Sequence, residues 1–207
     1  AKRLGGTQLR GLFALDDGSA LVADYNQLCR LTYEEGQLTK QALMAELHPG
    51  AEISYTATPA GVYLTDGYGL WVLRGGAVAR ATMDAPTAPG LSASAGGSLP
   101  GGLYQVVCTF ERHDGTQSCA SVTVQADVPD GGILNIHLPA TTQPLTAWVN
   151  VFVSPVNGDA LFLAERLPIG TTSTTLYVPP EQGGRCMTLH MAPMPAGHIV
   201  RQHQGKL

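Results

Sequence analysis

The stretch GVYLTDGYGLWVL, residues 61–73, reads as two short apolar strands hinged on an Asp-Gly turn. Forty-two positions earlier the chain carries ALVADYNQLCRL, residues 20–31, in the same phase: Asp24 lies over Asp66, Leu28 over Leu70 and Leu31 over Leu73. The same four-part rhythm surrounds each copy. LRGLFAL, SALVADY, QLCRLTY and GQLTKQALM are parted by Asp16-Asp17-Gly18, Asn26 and Glu35-Gly36. ISYTATP, GVYLTD, GLWVLR and AVARATM are parted by Gly61, Gly67-Tyr68-Gly69 and Gly75-Gly76. Four strands repeated at roughly 40–45 residues is the spacing of propeller blades. The expectation is therefore of two propeller-blade-like repeats over residues 1–84. A generic antiparallel meander is the plainer alternative. One segment, LTKQALMAEL at residues 38–47, also spaces its leucines loosely as a helix would and stops at His48-Pro49-Gly50.

Composition agrees with an all-β chain. Its 207 residues include 25 Gly and 14 Pro, and only 14% are charged; turn-formers and strand-formers dominate. Twelve Lys and Arg against 16 Asp and Glu leave a net charge of −4, with no basic stripe to neutralise phosphates, so direct nucleic-acid readout is excluded as an expectation. No apolar run reaches the roughly 20 residues of a membrane-spanning helix. The start, AKRLGGTQLR, has no signal-peptide core and no initiator Met, and the chain stops at GKL within an apparent strand start; both suggest a segment of a longer polypeptide.

At Ala85 the character changes. APTAPG, residues 85–90, reads as a stiff extended linker. Seven alternating segments follow: GLSASA, GLYQVVCTFER, CASVTVQAD, ILNIHLP, AWVNVFVS, ALFLAERL and STTLYV. Seven strands in this length is a sandwich expectation, placed at residues 85–180. Asp114-Gly115 supplies a hairpin turn, and Asn157-Gly158 a type I′ turn between the fifth and sixth strands. Residues 181–207 then read as a connector and the start of a further blade, since GHIVRQHQGKL is in phase with QLRGLFALDDGSAL. Alternation puts Cys108 on one face with Tyr104, Val106 and Phe110, whereas the facing arm is expected to bury Val122, Val124 and Ala126, leaving Cys119 on the other parity. Reduced thiols are expected at Cys29, Cys108, Cys119 and Cys186.

No GxSxG, HExxH or phosphate-cradling loop is present, so neither catalytic nor cofactor-binding residues are assigned. Asp24 and Asp66 sit at strand ends and suit Asx turns. Cys186, His190, His198 and His203 offer metal-ligand chemistry but at no zinc spacing, and isolated side chains are the favoured reading. His137 alternates outward. Tyr63, Tyr68 and Trp71 are either an aromatic sugar platform or sheet packing, with packing preferred. A glycosidase would need two converging carboxylates, for which Asp24, Asp66 and Glu111 are the ones to inspect.

Three stretches carry a resemblance. GGSLPGGLYQVVCTFERHDGTQS at 96–118, NVFVSPVNGDALFLAERLP at 150–168 and APMPAGHIVRQHQGKL at 192–207 are similar to a group of tailed-bacteriophage and prophage structural proteins. The likeness covers residues 90–207 well and the first 85 in rhythm; Lys206 stands where the group carries Arg. In that group a fibronectin type III-like sandwich interrupts a β-propeller-like body. The resemblance implies a non-catalytic virion component of tail, neck or nozzle, made in the host cytoplasm. Its partners would be copies of itself in a symmetric assembly and other virion proteins. The rival reading is a carbohydrate-binding adhesin or accessory module, with a glycan held at Trp71.

Overall fold

The structure is a computed structural model that describes residues 9–182, 184–187 and 196–202. Among them no helix forms. The chain divides into two compact units, Ala1–Thr82 with Met194–Leu207, and Met83–Pro193.

The first unit contains two antiparallel meanders. β1 (Leu9–Ala14), β2 (Ala20–Asp24), β3 (Gln27–Glu34) and β4 (Gln37–Met44) pair in chain order, as do β5 (Ser54–Thr58), β6 (Gly61–Thr65), β7 (Leu70–Arg74) and β8 (Ala77–Arg80). The β3–β4 turn places Glu35 and Gly36 at φ 50° and 78°, the double left-handed geometry that matches the twist of paired strands. Alternation then sends Leu21, Ala23 and Leu28 from one sheet, and Leu64, Trp71 and Leu73 from the other, into one core that Leu47 completes. Each fully buried leucine there contributes about 2 kcal/mol of transfer free energy.

Residues 38–47 are not helical: the Glu35-Gly36 turn folds them back on β3, and pairing with that strand overrides the leucine spacing. The expectation of a propeller is also overturned. Among the described residues each meander is an open four-stranded sheet whose last strand does not pair with its first. A four-strand rhythm specifies a meander, but it does not specify a ring around an axis. The further blade expected at the chain's end is not seen either: residues 196–202 carry no strand, and residues 203–207 lie outside the described ones.

Among its described residues the second unit has seven strands: β9 (Gly90–Leu99), β10 (Gly102–Arg112), β11 (Val124–Val128), β12 (Gly132–His137), β13 (Thr146–Val153), β14 (Phe162–Pro168) and β15 (Ser173–Leu176). They form one sheet ordered β11-β10-β13-β14 and another ordered β15-β12-β9. In the immunoglobulin-type order the first, second, fourth and fifth strands share a sheet. Here the first, fourth and seventh do, so the fibronectin type III-like sandwich is corrected to two open sheets with a different partition. Both sheets contribute to a single core, with Tyr104, Val106, Cys108 and Phe110 from β10, Leu134 and Ile136 from β12, and Val149, Val151 and Val153 from β13.

The larger sheet is buried on its other face as well. Val107 and Phe152 point away from that core yet are fully covered, packed with Leu161, Ala120 and Met187. The covering chain explains why the third strand begins at Val124 and not at Cys119. Ser121 N–H donates to Cys108 O (2.9 Å), and Cys108 N–H donates to Ser121 Oγ (3.0 Å). Ser118 repeats the exchange with Phe110, at 2.9 Å in both directions. Two serine hydroxyls thus replace two main-chain carbonyls in the ladder, and Val122, expected inside, is 75% exposed.

The Asn157-Gly158 turn is likewise not a two-residue type I′ hairpin. Asn157 has φ 55°, but Gly158 is not left-handed, and Gly158 N–H closes on Pro155 O at 3.0 Å. Asn157 is used instead to cap β10, its Oδ1 accepting Leu103 N–H at 3.0 Å. Cys29 and Cys108 are buried, Cys119 is partly so and Cys186 is exposed, all as free thiols. Burial pushes the Cys108 thiol up to about 12, which keeps it protonated and inert.

Because the buried Cys108 N–H has Ser121 Oγ as its acceptor, Ser121→Ala should destabilise the second unit by about 1–3 kcal/mol. Ser121→Thr, which keeps the oxygen, should cost less. Urea titration of both variants measures the difference, and equal midpoints for Ala and wild type would discard the ladder role of the hydroxyl.

Candidate functional site

In the first unit, the β4–β5 connection, the β6–β7 turn and the returning residues 197–200 surround a hollow of about 550 Å³. Its organising group is Asp66, which is 2% exposed. Oδ1 accepts the N–H groups of Tyr68 and Gly69, both at 2.9 Å, and Oδ2 accepts His48 N–H at 2.7 Å. The expected Asx turn is present and also fastens a second loop. Arg10 holds that loop from beneath, donating to Ala51 O (2.6 Å) and His48 O (2.7 Å).

The rings of His48 and Tyr68 stack at 4.0 Å with an interplanar angle of 13°. His198 covers the turn at Gly67, whose φ is +84° and where a Cβ would run into the imidazole. The returning segment is tied in at two further points: Thr65 Oγ1 lies 2.5 Å from Gly197 O, and Val200 N–H donates to Ser54 Oγ at 3.2 Å. The hollow therefore presents two imidazoles, a phenol ring and the Glu52 carboxylate. Asp66 itself is buried, and both of its oxygens accept main-chain N–H groups.

In the second unit, the outer face of β10, β13 and β14 holds a polar cluster around Glu111, which is 5% exposed. Arg166 Nη2 donates to its Oε1 at 2.8 Å, while Asn150 Nδ2 (2.7 Å), Gln117 Nε2 (3.1 Å) and Arg185 Nη1 (3.4 Å) reach Oε2. The Arg166 guanidinium lies 4.1 Å from the centre of the Trp148 ring. Desolvation works to raise the Glu111 pKa, but the Asn150 and Arg166 contacts outweigh it, and the carboxyl is held below its ordinary value of 4.5.

The remaining candidates are dispersed. Asp24 makes an ion pair with Lys40 at 2.6 Å, so the two repeat-related aspartates have different roles. Trp71 is 2% exposed and belongs to the core, whereas Tyr68 is 67% exposed and Tyr63 lies beneath Arg74; the three do not make a sugar platform. His137 is exposed at the end of β12. Of the four metal-ligand candidates, His190 and His203 lie outside the described residues. Among the described residues no three His, Cys, Asp or Glu side chains come together as metal ligands.

In the sequence His48 carries only the signal of a helix stop, and nothing there connects Glu111 with Arg166 and Arg185. Those partners are 55 and 74 positions away, and no local spacing marks them.

No protein-family model matches this chain, and no curated protein matches it. The tail, neck or nozzle placement that the resemblance implies gains no support from known families.

Asp66→Ala leaves three N–H groups without their acceptor and should cost on the order of 3 kcal/mol, read as a lower urea midpoint for the first unit. Asp66→Asn, which retains one carbonyl oxygen, should fall between. If Asp66→Ala matches the parent, the turn does not depend on the carboxylate.

A second prediction concerns pH. Since the folded Glu111 pKa is depressed, its ionised form adds stability that is present above the unfolded value near 4.5 and lost as pH falls through the folded pKa. Unfolding followed through Trp148 fluorescence, in a Trp71→Phe background, should show the parent's second unit weakening with acid. Glu111→Gln should be weaker at neutral pH and show a shallower acid dependence. Identical pH profiles would remove Glu111 as a contributor.

Proposed function

We propose that this chain is a non-catalytic structural protein that works through contacts with copies of itself and with other proteins. That is the role implied by its resemblance to bacteriophage and prophage structural proteins. Its setting is then a virion built from chains made in the host cytoplasm.

The observation that supports this reading most is the β3–β4 hairpin of the first unit. β4 is an outer strand of its sheet, and six consecutive residues, Gln37 through Ala42, are exposed. Tyr33 and Leu38, which face each other across the hairpin, are 69% and 36% exposed. An exposed strand edge offers N–H and C=O groups for strand addition by another chain. Natural edges are commonly protected by an outstretched lysine. Here Lys40, the one charged residue of β4, is drawn onto Asp24 within its own sheet. Its charge is thereby neutralised where it would otherwise repel an incoming strand.

Low charge density acts in the same direction, because a surface poor in ions loses little hydration when a neighbour covers it. The three carboxylates that a glycosidase reading would need are each engaged separately: Asp66 with main-chain N–H groups, Asp24 with Lys40 and Glu111 with arginines.

Sedimentation of the chain over a range of concentrations tests the reading. The parent should associate as concentration rises. Leu38→Lys, which restores a free charge at an exposed edge position, should weaken association about tenfold, or ~1.4 kcal/mol. A parent that remains monomeric at every concentration overturns the proposal.

A further inference from the structure

The second unit carries an acceptor groove already filled by a short piece of its own chain. Residues 185–187 lie along the outer edge of β14. Leu163 N–H donates to Arg185 O and Met187 N–H to Leu161 O, both at 2.8 Å, with Cys186 directly opposite Phe162. Alternation sends Arg185 and Met187 to the same side. Arg185 reaches the buried Glu111, and Met187 packs on the apolar patch of Val107, Phe152 and Leu161. The groove thus reads an extended strand with a basic residue and an apolar residue two positions apart. Edge N–H and C=O groups supply its register, a buried carboxylate its first pocket and an apolar floor its second.

The occupant is weakly fixed. Among the described residues, two main-chain hydrogen bonds, one ion pair and one apolar side chain hold it, and Arg185 and Cys186 remain exposed. The preceding Glu181, Gln182 and Gly184 are exposed as well. Val107 and Phe152 beneath it, by contrast, are fully buried, so opening the groove uncovers a hydrophobic surface that must be covered again. A segment of low local stability lying over a surface of high apolar content is poised for exchange, because the same contacts are available from an identical chain.

We propose that the β14 edge groove is an inter-subunit site, and that in the assembled protein it is filled by residues 185–187 of a second copy. The inference rests on the self-assembly reading above but concerns a separate surface. A donated strand makes the contacts of the resident one, so exchange links neighbours with little change in contact energy. Association strength is then set by the geometry of the connecting chain and by concentration.

The native Cys186 provides the test, because its partner position is Phe162. Isotope-heavy and isotope-light chains carrying Phe162→Cys in a Cys119→Ser background are mixed, allowed to associate, mildly oxidised and mapped by mass spectrometry. The expected result is a disulfide between positions 162 and 186 joining one heavy and one light chain. If that disulfide forms only within single chains while the parent still associates, the exchange is overturned and the self-assembly reading stands. If the parent does not associate at all, both fall. A second variant does not depend on the disulfide. Arg185→Glu, which weakens the resident and the donated strand alike, should leave the association strength near the parent's and speed the exchange between heavy and light chains. Arg185→Glu chains that exchange no faster than the parent also overturn the proposal.

Discussion

Every main-chain N–H and C=O removed from water must find a partner, and in this protein that requirement falls on open sheets. A closed barrel satisfies it by joining its last strand to its first. Among the described residues none of the four sheets closes, so the obligation is met piecemeal. Ser118 and Ser121 offer hydroxyl oxygens to β10 where β11 has not yet begun. Residues 185–187 lie on β14, and Ser54 of β5 exchanges hydrogen bonds with Val200 through its side chain. Side chains and short straps complete what regular pairing leaves open.

The same economy governs charge. A buried carboxylate is costly unless cations and hydrogen-bond donors surround it. Glu111 meets that condition by drawing one donor from the 113–121 loop, one from β13, one from β14 and one from the strap. Its value lies less in net stability than in joining four separate stretches of chain to one point. Asp66 does the equivalent in the first unit with neutral donors, fastening the β6–β7 turn to the loop at His48. In both units a single acidic side chain therefore organises the non-repetitive parts of the fold, while alternation organises the strands.

Much of this was legible in the residues. The eight strands of the first unit follow from alternation and from turns such as Glu35-Gly36, since both signals are local. The partition of the later strands between sheets was not legible, because alternation distinguishes the two faces of a strand but not which strand lies beside it. The start of β11 was misread because Ser118 and Ser121 look like ordinary strand residues until their hydroxyls are seen to accept from β10. Asp24 and Asp66 occupy equivalent places in the repeat, yet only Asp66 makes the Asx turn; Lys40 sits where it can claim Asp24. The Glu111 cluster escaped because its cations are distant along the chain, and electrostatic partners separated by tens of residues leave no periodicity.

The first unit is discontinuous, since residues 197–200 return to it after the whole of the second unit has intervened. During synthesis on a ribosome its two meanders emerge first, yet Thr65, Ser54 and Gly67 must wait for Gly197, Val200 and His198 to be translated. The second unit, Met83–Pro193, is complete in sequence before Gly197 is reached. Vectorial synthesis therefore favours completion of the middle of the polypeptide before its beginning, and a chain truncated ahead of Gly197 would carry one finished unit and one unfinished.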